Sequence, residues 1–334
     1  MKIKVLTWHV HGSYLYYLSQ CNCDFYLPVK ADDSPGYGGR AGSFKWGNNV
    51  IEVEANEVKK LRDINVILFQ SKDNYLKDQF EILNERQRLL PKIYLEHDPP
   101  REHPTDTKHV VNDPNSLLIN VTHFNDLMWD SQATPSKVVD HGVIIPKNVV
   151  YSGELNKGIV VVNNLAKRGR RLGWDIFKEV RKEIPLDLIG MGSEEIGGLG
   201  EVHHDEIGEF ISKYRFFFNP IRYTSLGLAV LEAMTVGLPI LGLETTEMVT
   251  AIKNGVNGYI DTDINILVKR MRQLLTNPEK AKKLSAGAKR MADKRFGIKR
   301  FVAEWEGILS QTAARISYSK MQGILFKSTE VFKE

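Results

Sequence analysis

Short apolar runs alternate with amphipathic stretches along the whole chain, the pattern of strands each followed by a helix. Lys4–Trp8 predicts a first strand, and His11-Gly12-Ser13 a turn into a helix over Tyr14–Ser19. Asp24–Val29 reads as a second strand, followed by Ser34-Pro35-Gly36-Tyr37-Gly38-Gly39-Arg40, a glycine-rich loop expected to be mobile over Gly36–Gly42. Asn49–Val53, Val66–Gln70, Lys92–Leu95 and Ser116–Val121 read as further strands, with a helix over Asn74–Leu90. A second series runs through Gly158–Val162, Leu186–Gly190, Arg215–Asn219, Pro239–Leu243 and Gly258–Ile260. Ile266–Leu275, Pro278–Arg295 and Phe301–Ala314 read as charged helices with apolar stripes. Between the two series, Val138–Ser152 reads as a linker, with Gly142, Pro146 and Gly153 among its apolar pieces. The expectation is α/β throughout: two doubly wound, Rossmann-like domains facing across a cleft. They are placed at 1–148 and 149–312, with a last helix 313–334 packing back on the first.

Length and composition agree with that division. A chain of 334 residues suits two domains of roughly 150 residues each. Hydrophobic residues make up 42% and charged residues 26%, which suits a globular protein. The start MKIKVLTWHV reads as a strand and not a signal peptide, and no run reaches the ~20 apolar residues of a membrane span. Cys21 and Cys23 stand one residue apart, which suits reduced thiols in the cytoplasm, with a metal pair lacking its second half as the other reading. A net charge of +4 suits an anionic ligand, or peripheral contact with an anionic inner-membrane face.

Asn219–Gly258 carries the most specific chemistry. Pro220 ends the strand before it, Thr224-Ser225 can cap a helix over 227–236, and Gly227 lets backbone come close to a ligand. Gly237 stops that helix, and Pro239–Leu243 reads as a strand covered on both faces. A glycine opening a helix behind a strand can hold a phosphate, here on the backbone N–H groups of Ser225, Leu226 and Gly227. Pro220, Thr224-Ser225-Leu226-Gly227-Leu228, Leu231-Glu232-Ala233-Met234, Gly237, Pro239, Glu247 and Asn254-Gly255-Val256-Asn257-Gly258 together resemble the motif of retaining GT-B glycosyltransferases of the glycogen-synthase-like family 4 group. One position departs from it: the first of the family's two carboxylates is Thr224 here. The resemblance extends over Val138–Leu309 and reaches the first half only through isolated motifs.

The resemblance implies a GT-B fold and transfer of a hexose from a nucleoside diphosphate sugar, UDP- or GDP-linked, with retention at the anomeric carbon. The acceptor would be a glycan, lipid or small-molecule hydroxyl, as in polysaccharide biosynthesis. It implies that Glu232 accepts ribose hydroxyls, that Val202 lies where backbone holds the base, and that Gly12 belongs to the turn approaching the sugar and diphosphate. His97, in Glu96-His97-Asp98, would be the catalytic residue at the donor sugar; a loop histidine capped by Asp98 is the other reading. Thr224, Ser225, Leu226 and Gly227 complete the donor-binding set. A helix end contributes about 0.3–1 kcal/mol to an anion, against about 1.5–3 for a charged hydrogen bond, so basic side chains are needed as well. Lys167, Arg168, Arg170 and Arg171 supply them, with Arg168 and Arg171 chosen, although the family's Gly-Arg is Asn163-Asn164 here and its Arg and Lys do not carry over strictly; a solvated basic loop or a nucleic-acid patch is the alternative. Metal binding by His97 with His103 or His109 is a lesser reading, and Asp261-Thr262-Asp263 falls in a helix-start turn. No metal, cofactor or nucleic acid is expected. A nucleotide-sugar epimerase using Glu96, Asp98 and Glu102, or an inactive nucleotide-sugar-binding protein, are the rival functions.

Overall fold

The computed structural model describes residues 2–32, 34–145 and 148–330, with side chains through residue 314. The chain divides into two compact units. The first takes the chain up to Val121, Asn125–Val139, and the segment from Phe301 on; the second takes Thr122–Phe124 and Asp140–Arg300. The division thus falls at Val139/Asp140 and Arg300/Phe301, ahead of the expected 148/149 and 312/313. Of the expected linker, Pro146 lies outside the described residues, as do the side chains on which packing of a helix 313–334 would rest.

In the first unit the strands are β1 (Ile3–Thr7), β2 (Cys23–Val29), β3 (Val50–Glu54), β4 (Val66–Phe69), β5 (Lys92–Glu96), β6 (Leu117–Asn120) and β7 (Ser136–Val138). They form one parallel sheet in the order β3-β2-β1-β4-β5-β6-β7. Every residue of β4 is buried, as a parallel sheet covered on both faces demands. Trp8, Phe69 and Tyr94 pack above β1, β4 and β5, each such side chain contributing about 1.5–3 kcal/mol by leaving water. Residues beyond Phe301 pack on the first helix, Gly12–Leu18: Trp305 Nε1 donates to the Tyr14 hydroxyl at 3.0 Å, and Phe301 stands edge-on to the same ring. Cys21 and Cys23 are both free thiols and buried, and burial pushes the Cys23 thiol up to about 11.

Two expectations change here, and one strand was not foreseen. The stretch Asn74–Leu90 is not one helix but a π-turn (Asn74–Asp78), a short helix (Gln79–Ile82) and a second helix (Glu85–Arg88). Asn84 breaks it by leaving the helical region and forming a reciprocal cap with Gln87. The glycine-rich loop is stitched down: His9 N–H donates to the Gly36 carbonyl, His9 Nδ1 bonds the Gly39 carbonyl, and Arg40 N–H donates to Glu52 Oε1. The edge strand β7 is short and largely exposed, so it has no apolar run to announce it.

The second unit is a five-stranded parallel sheet of β8 (Leu155–Val161), β9 (Leu186–Ile189), β10 (Tyr214–Asn219), β11 (Ile240–Leu243) and β12 (Gly258–Asp261). Its order is β12-β11-β10-β8-β9. Phe216 and Phe218 of β10 and Leu241 and Leu243 of β11 join one buried cluster with Val160 and Phe177. The helix Leu228–Val236 is buried along most of its length, and Pro278–Arg295 packs beside it. As expected, Asp263 starts a helix, accepting from Asn265 N–H at 2.9 Å.

Candidate functional site

A doubly wound sheet binds its ligand beyond the carboxyl ends of its strands, at the point where strand order reverses. In the second unit that point lies between β8 and β10, neighbours in space that are first and third in sequence. The segments leaving them are 162–173 and 220–227, and they are joined. Arg222 and Tyr223 N–H groups both donate to the Arg171 carbonyl, at 3.0 and 3.4 Å. Gly173, at φ +84°, lets that turn press on Pro220.

Of the four cations expected here, the structure separates two roles. Arg170 pairs with Asp175 at 2.6 Å. Arg222, which the sequence reading did not single out, grips the same carboxylate with two nitrogens at 2.6 and 2.8 Å and reaches the Arg170 carbonyl. The Arg222 hydrogen bond holds the Asp175 carboxyl below its ordinary value. These three side chains brace the loop. Arg171 lies half-buried against the Tyr223 carbonyl, while Lys167 and Arg168 are exposed.

The helix over 227–236 begins at Leu228 with Gly227 in the cap position, so Thr224 and Ser225, the expected caps, both lie ahead of that position. Gly227 occupies the cap position with φ −67° and extended ψ. No protein atom lies within 4 Å of where a Cβ would project from it. Neither backbone strain nor packing therefore requires glycine at this position. Thr224 and Ser225 are half-buried in the connecting turn. Glu232 is not a surface residue near the helix start: it sits in the second turn, 5% exposed, with Oε1 3.9 Å from His204 Nδ1. A carboxylate kept out of water demands polar partners.

The turn leaving β9 stands beside this point. Met191 N–H donates to Asn163 Oδ1 and Asn164 N–H to the Met191 carbonyl, tying it to the loop after β8. Ser193 Oγ accepts from Gly200 N–H at 3.0 Å and closes the turn, and half-buried Val202 follows it. Glu247 is buried and structural: it accepts from Phe124 N–H, Arg295 and the Thr250 hydroxyl.

The first unit reverses its order between β1 and β4. Gln70, just past β4, donates both amide N–H groups, to Thr7 Oγ1 at 2.9 Å and the Trp8 carbonyl at 2.8 Å. Its Oε1 therefore faces His97 Nε2 at 3.2 Å as an acceptor, which places the proton of the neutral imidazole on Nε2. The His97 ring is buried, 4.0 Å from the His11 ring and edge-on to Tyr14. Desolvation holds His11 below the ordinary 6.5, against the pull of Asp98 and Glu96. Gly12 begins the helix after β1, with His9 and Phe44 packed where its Cβ would go.

Asp98 is engaged by Arg101 and does not cap His97 through any bond described; its own N–H donates to Glu96 Oε1. His109 is buried with both ring nitrogens in use, accepting from Val111 N–H and donating to Glu96 Oε2 at 3.2 Å. It has no lone pair left for a metal, which removes the His97–His109 pairing. Among the described residues, no group of three or more His, Cys, Asp or Glu is placed to hold a metal ion.

Residues 191–291 match the family described as Glycosyl transferases group 1. An uncharacterized glycosyltransferase of Haemophilus influenzae is 24% identical over 215 residues, covering 58% of this chain and 60% of that protein. The match therefore spans less than two thirds of the relative's length. A sucrose-phosphate synthase from Thermosynechococcus elongatus superposes with a TM-score of 0.72 at 13% identity, over 94% of this chain and 100% of that one. HepE of Anabaena, in complex with UDP and glucose, does so with a TM-score of 0.68 at 15% identity, over 93% and 99%. The chain has the two-domain GT-B fold, each domain a parallel Rossmann-like sheet.

Proposed function

We propose that this chain transfers a hexose from a nucleoside diphosphate sugar to an acceptor hydroxyl, with retention of anomeric configuration. The observation that carries the reading is the junction of 162–173 with 220–227 at the strand-order reversal of the second sheet, the latter loop lying within the segment 191–291 that matches the glycosyl transferases group 1 family.

Negative charge grows on the diphosphate as it leaves, and fixed positive groups aimed there lower the barrier. Arg168 and Arg171 are the proposed side-chain partners, on a loop braced by the Arg170–Asp175–Arg222 cluster. The helix end at Gly227 adds about 0.3–1 kcal/mol, so these arginines carry the larger share, at about 1.5–3 kcal/mol per charged bond. Glu232 is acceptor-only when ionised, and ribose hydroxyls are the donors it would take. Backbone at Val202 would hold the base. His97 is the proposed catalytic residue, and Gly12 a further proposed donor-binding residue. HepE was solved with UDP and glucose, which favours a UDP-linked hexose over a GDP-linked one. The acceptor is proposed to be a glycan, lipid-linked or small-molecule hydroxyl, and the setting cytoplasmic.

Thr224 favours a second reading, an inactive nucleotide-sugar-binding protein. The epimerase reading loses ground, since Glu96 serves His109 and Asp98 serves Arg101. Incubating the chain with UDP- and GDP-hexoses and an acceptor panel tests all three. Acceptor-dependent release of nucleoside diphosphate, with a product whose anomeric proton coupling matches that of the donor, is expected. Inverted coupling rejects retention, sugar conversion without acceptor favours the epimerase, and binding without turnover favours the inactive protein.

A further inference from the structure

Charge is unevenly placed along this chain. Of its 45 Lys and Arg and 41 Asp and Glu, residues 264–300 hold twelve of the former and two of the latter. That segment carries +10 and the rest of the chain −6. Arg272 and Arg295 are paired with Glu183 and with Asp140 and Glu247, and the remaining cations make a basic face that the mild net charge of +4 conceals.

The cations are gathered on one surface by helical spacing. Pro278–Arg295 buries Ala281, Leu284, Ser285, Gly287, Ala288 and Ala292, which turns Lys282, Lys283, Lys289, Arg290 and Lys294 outward. Lys282 is answered by Glu279, but among the described residues Lys283, Arg290 and Lys294 have no acidic side chain within ion-pair distance. Like charges so crowded repel one another, and nothing in the packing of this helix requires them.

Apolar side chains stand among these cations. Gly287 lies against the backbone of Val256, close enough that a Cβ would overlap the Val256 carbonyl. This sets the loop carrying Val256, 43% exposed, beside Lys283, Arg290 and Lys294. Next to it is a shallow groove of about 240 Å³ whose lining includes Asn254, Gly255, Tyr259, Asp261, Ile266 and Arg270. Ile266 is 41% exposed. Arg270 and Lys280 stand over the Tyr259 ring, at 4.8 and 5.5 Å from its centre.

We infer that this face docks the protein onto an anionic membrane surface, with Lys283, Arg290 and Lys294 on lipid phosphates and carboxylates and Val256 and Ile266 at the headgroup boundary. Basic side chains beside exposed aliphatic ones suit a charged bilayer, which offers both kinds of contact. A nucleic acid would use aromatic rings for stacking, and the Tyr259 ring is already covered by two cations. No helix among the described residues is long and apolar enough to cross a membrane, so the contact would be peripheral. The inference stands independently of the reaction proposed above.

Co-sedimentation of the full chain with vesicles tests it. Binding is expected to vesicles of about one-third phosphatidylglycerol, to be absent with pure phosphatidylcholine, and to weaken steeply with salt. The triple variant Lys283→Glu/Arg290→Glu/Lys294→Glu should bind anionic vesicles at least about tenfold more weakly while melting as the wild type does. Val256→Asp should weaken binding with no change in the cations. No sedimentation with anionic vesicles at low salt, or unchanged binding by the triple variant, overturns the inference. So does retention on RNA without binding to vesicles.

Discussion

Gly173 meets Pro220 so closely that a Cβ on the glycine would lie 2.0 Å from the proline carbonyl oxygen. This contact clamps the two loops at the reversal point, and its φ of +84° adds a second reason for glycine. Gly173→Ala should cost more than the ~1–3 kcal/mol of a strained backbone alone. It is expected to lower the melting temperature by several degrees and to weaken nucleoside diphosphate binding with it. Calorimetric melting and titration on one preparation check both; a variant that melts and binds as the wild type does rejects the clamp.

Gly227→Ala should separate these effects. The room beyond Gly227 is empty of protein and its φ is ordinary, so stability should change by no more than about 0.5 kcal/mol. If a diphosphate comes up against this backbone, the added methyl should still weaken nucleoside diphosphate binding several-fold. Unchanged affinity by titration calorimetry would move the anion away from this helix end.

The arginines should differ in what they contribute to the anion. Arg168→Ala with Arg171→Ala is expected to weaken nucleoside diphosphate binding more than tenfold, from about 1.5–3 kcal/mol per charged bond. Arg170→Ala should cost much less, because that guanidinium is engaged by Asp175. Equal losses in the two proteins would place the anion elsewhere on the loop.

Acid should loosen this bracing in a definite direction. Asp175 is held below its ordinary 3.8, first by the hydrogen bond from Arg222. A carboxyl depressed in the folded state adds stability above its ordinary value and loses it as pH falls through the folded one. Arg222→Ala should therefore raise the Asp175 titration, read from its carboxyl carbon by NMR, and bring the acid loss of stability to higher pH. An unmoved titration midpoint would show that Arg222 is not the cause.

Thr224 tests specificity. A neutral hydroxyl stands where the motif has a carboxylate, so one charge-assisted bond of about 1.5–3 kcal/mol is absent. Thr224→Glu is expected to lower turnover of the native donor and raise it on common glucose or mannose donors, measured as released nucleoside diphosphate. Turnover appearing only in the variant would favour the inactive-protein reading. Turnover is also expected to persist in excess chelator, with the arginines in place of a bridging ion; loss of activity restored by magnesium or manganese would reject this.

Much of the architecture was legible because parallel strands are buried on both faces. Runs such as Val66–Phe69 and Ile240–Leu243 admit little but strand between their breakers. What failed depended on distant partners. Arg222 looks like any loop cation until Asp175, 47 residues earlier, is brought beside it. The glycine-rich loop reads as slack because its restraints come from elsewhere in the chain, His9 just past β1 and Glu52 in β3. A single Asn84, outweighed by its neighbours in a periodicity reading, broke the Asn74–Leu90 helix. At the candidate site, the motif named the glycines and Glu232, but neither the helix start at Leu228 nor the burial of Glu232 was legible in it.

Gln70 gives the ring of His97 a direction. With both amide hydrogens of Gln70 committed to Thr7 and Trp8, the amide cannot flip, and the neutral imidazole must keep its proton toward the sheet. Its other nitrogen then presents a lone pair, able to receive a hydrogen from a hydroxyl but not to give one until a second proton is bound. Over the pH range in which the ring is neutral, any partner on that side must itself be a donor. Gln70→Glu would remove this selectivity by favouring the imidazolium, turning a hydrogen-accepting group into a hydrogen-giving one without altering His97.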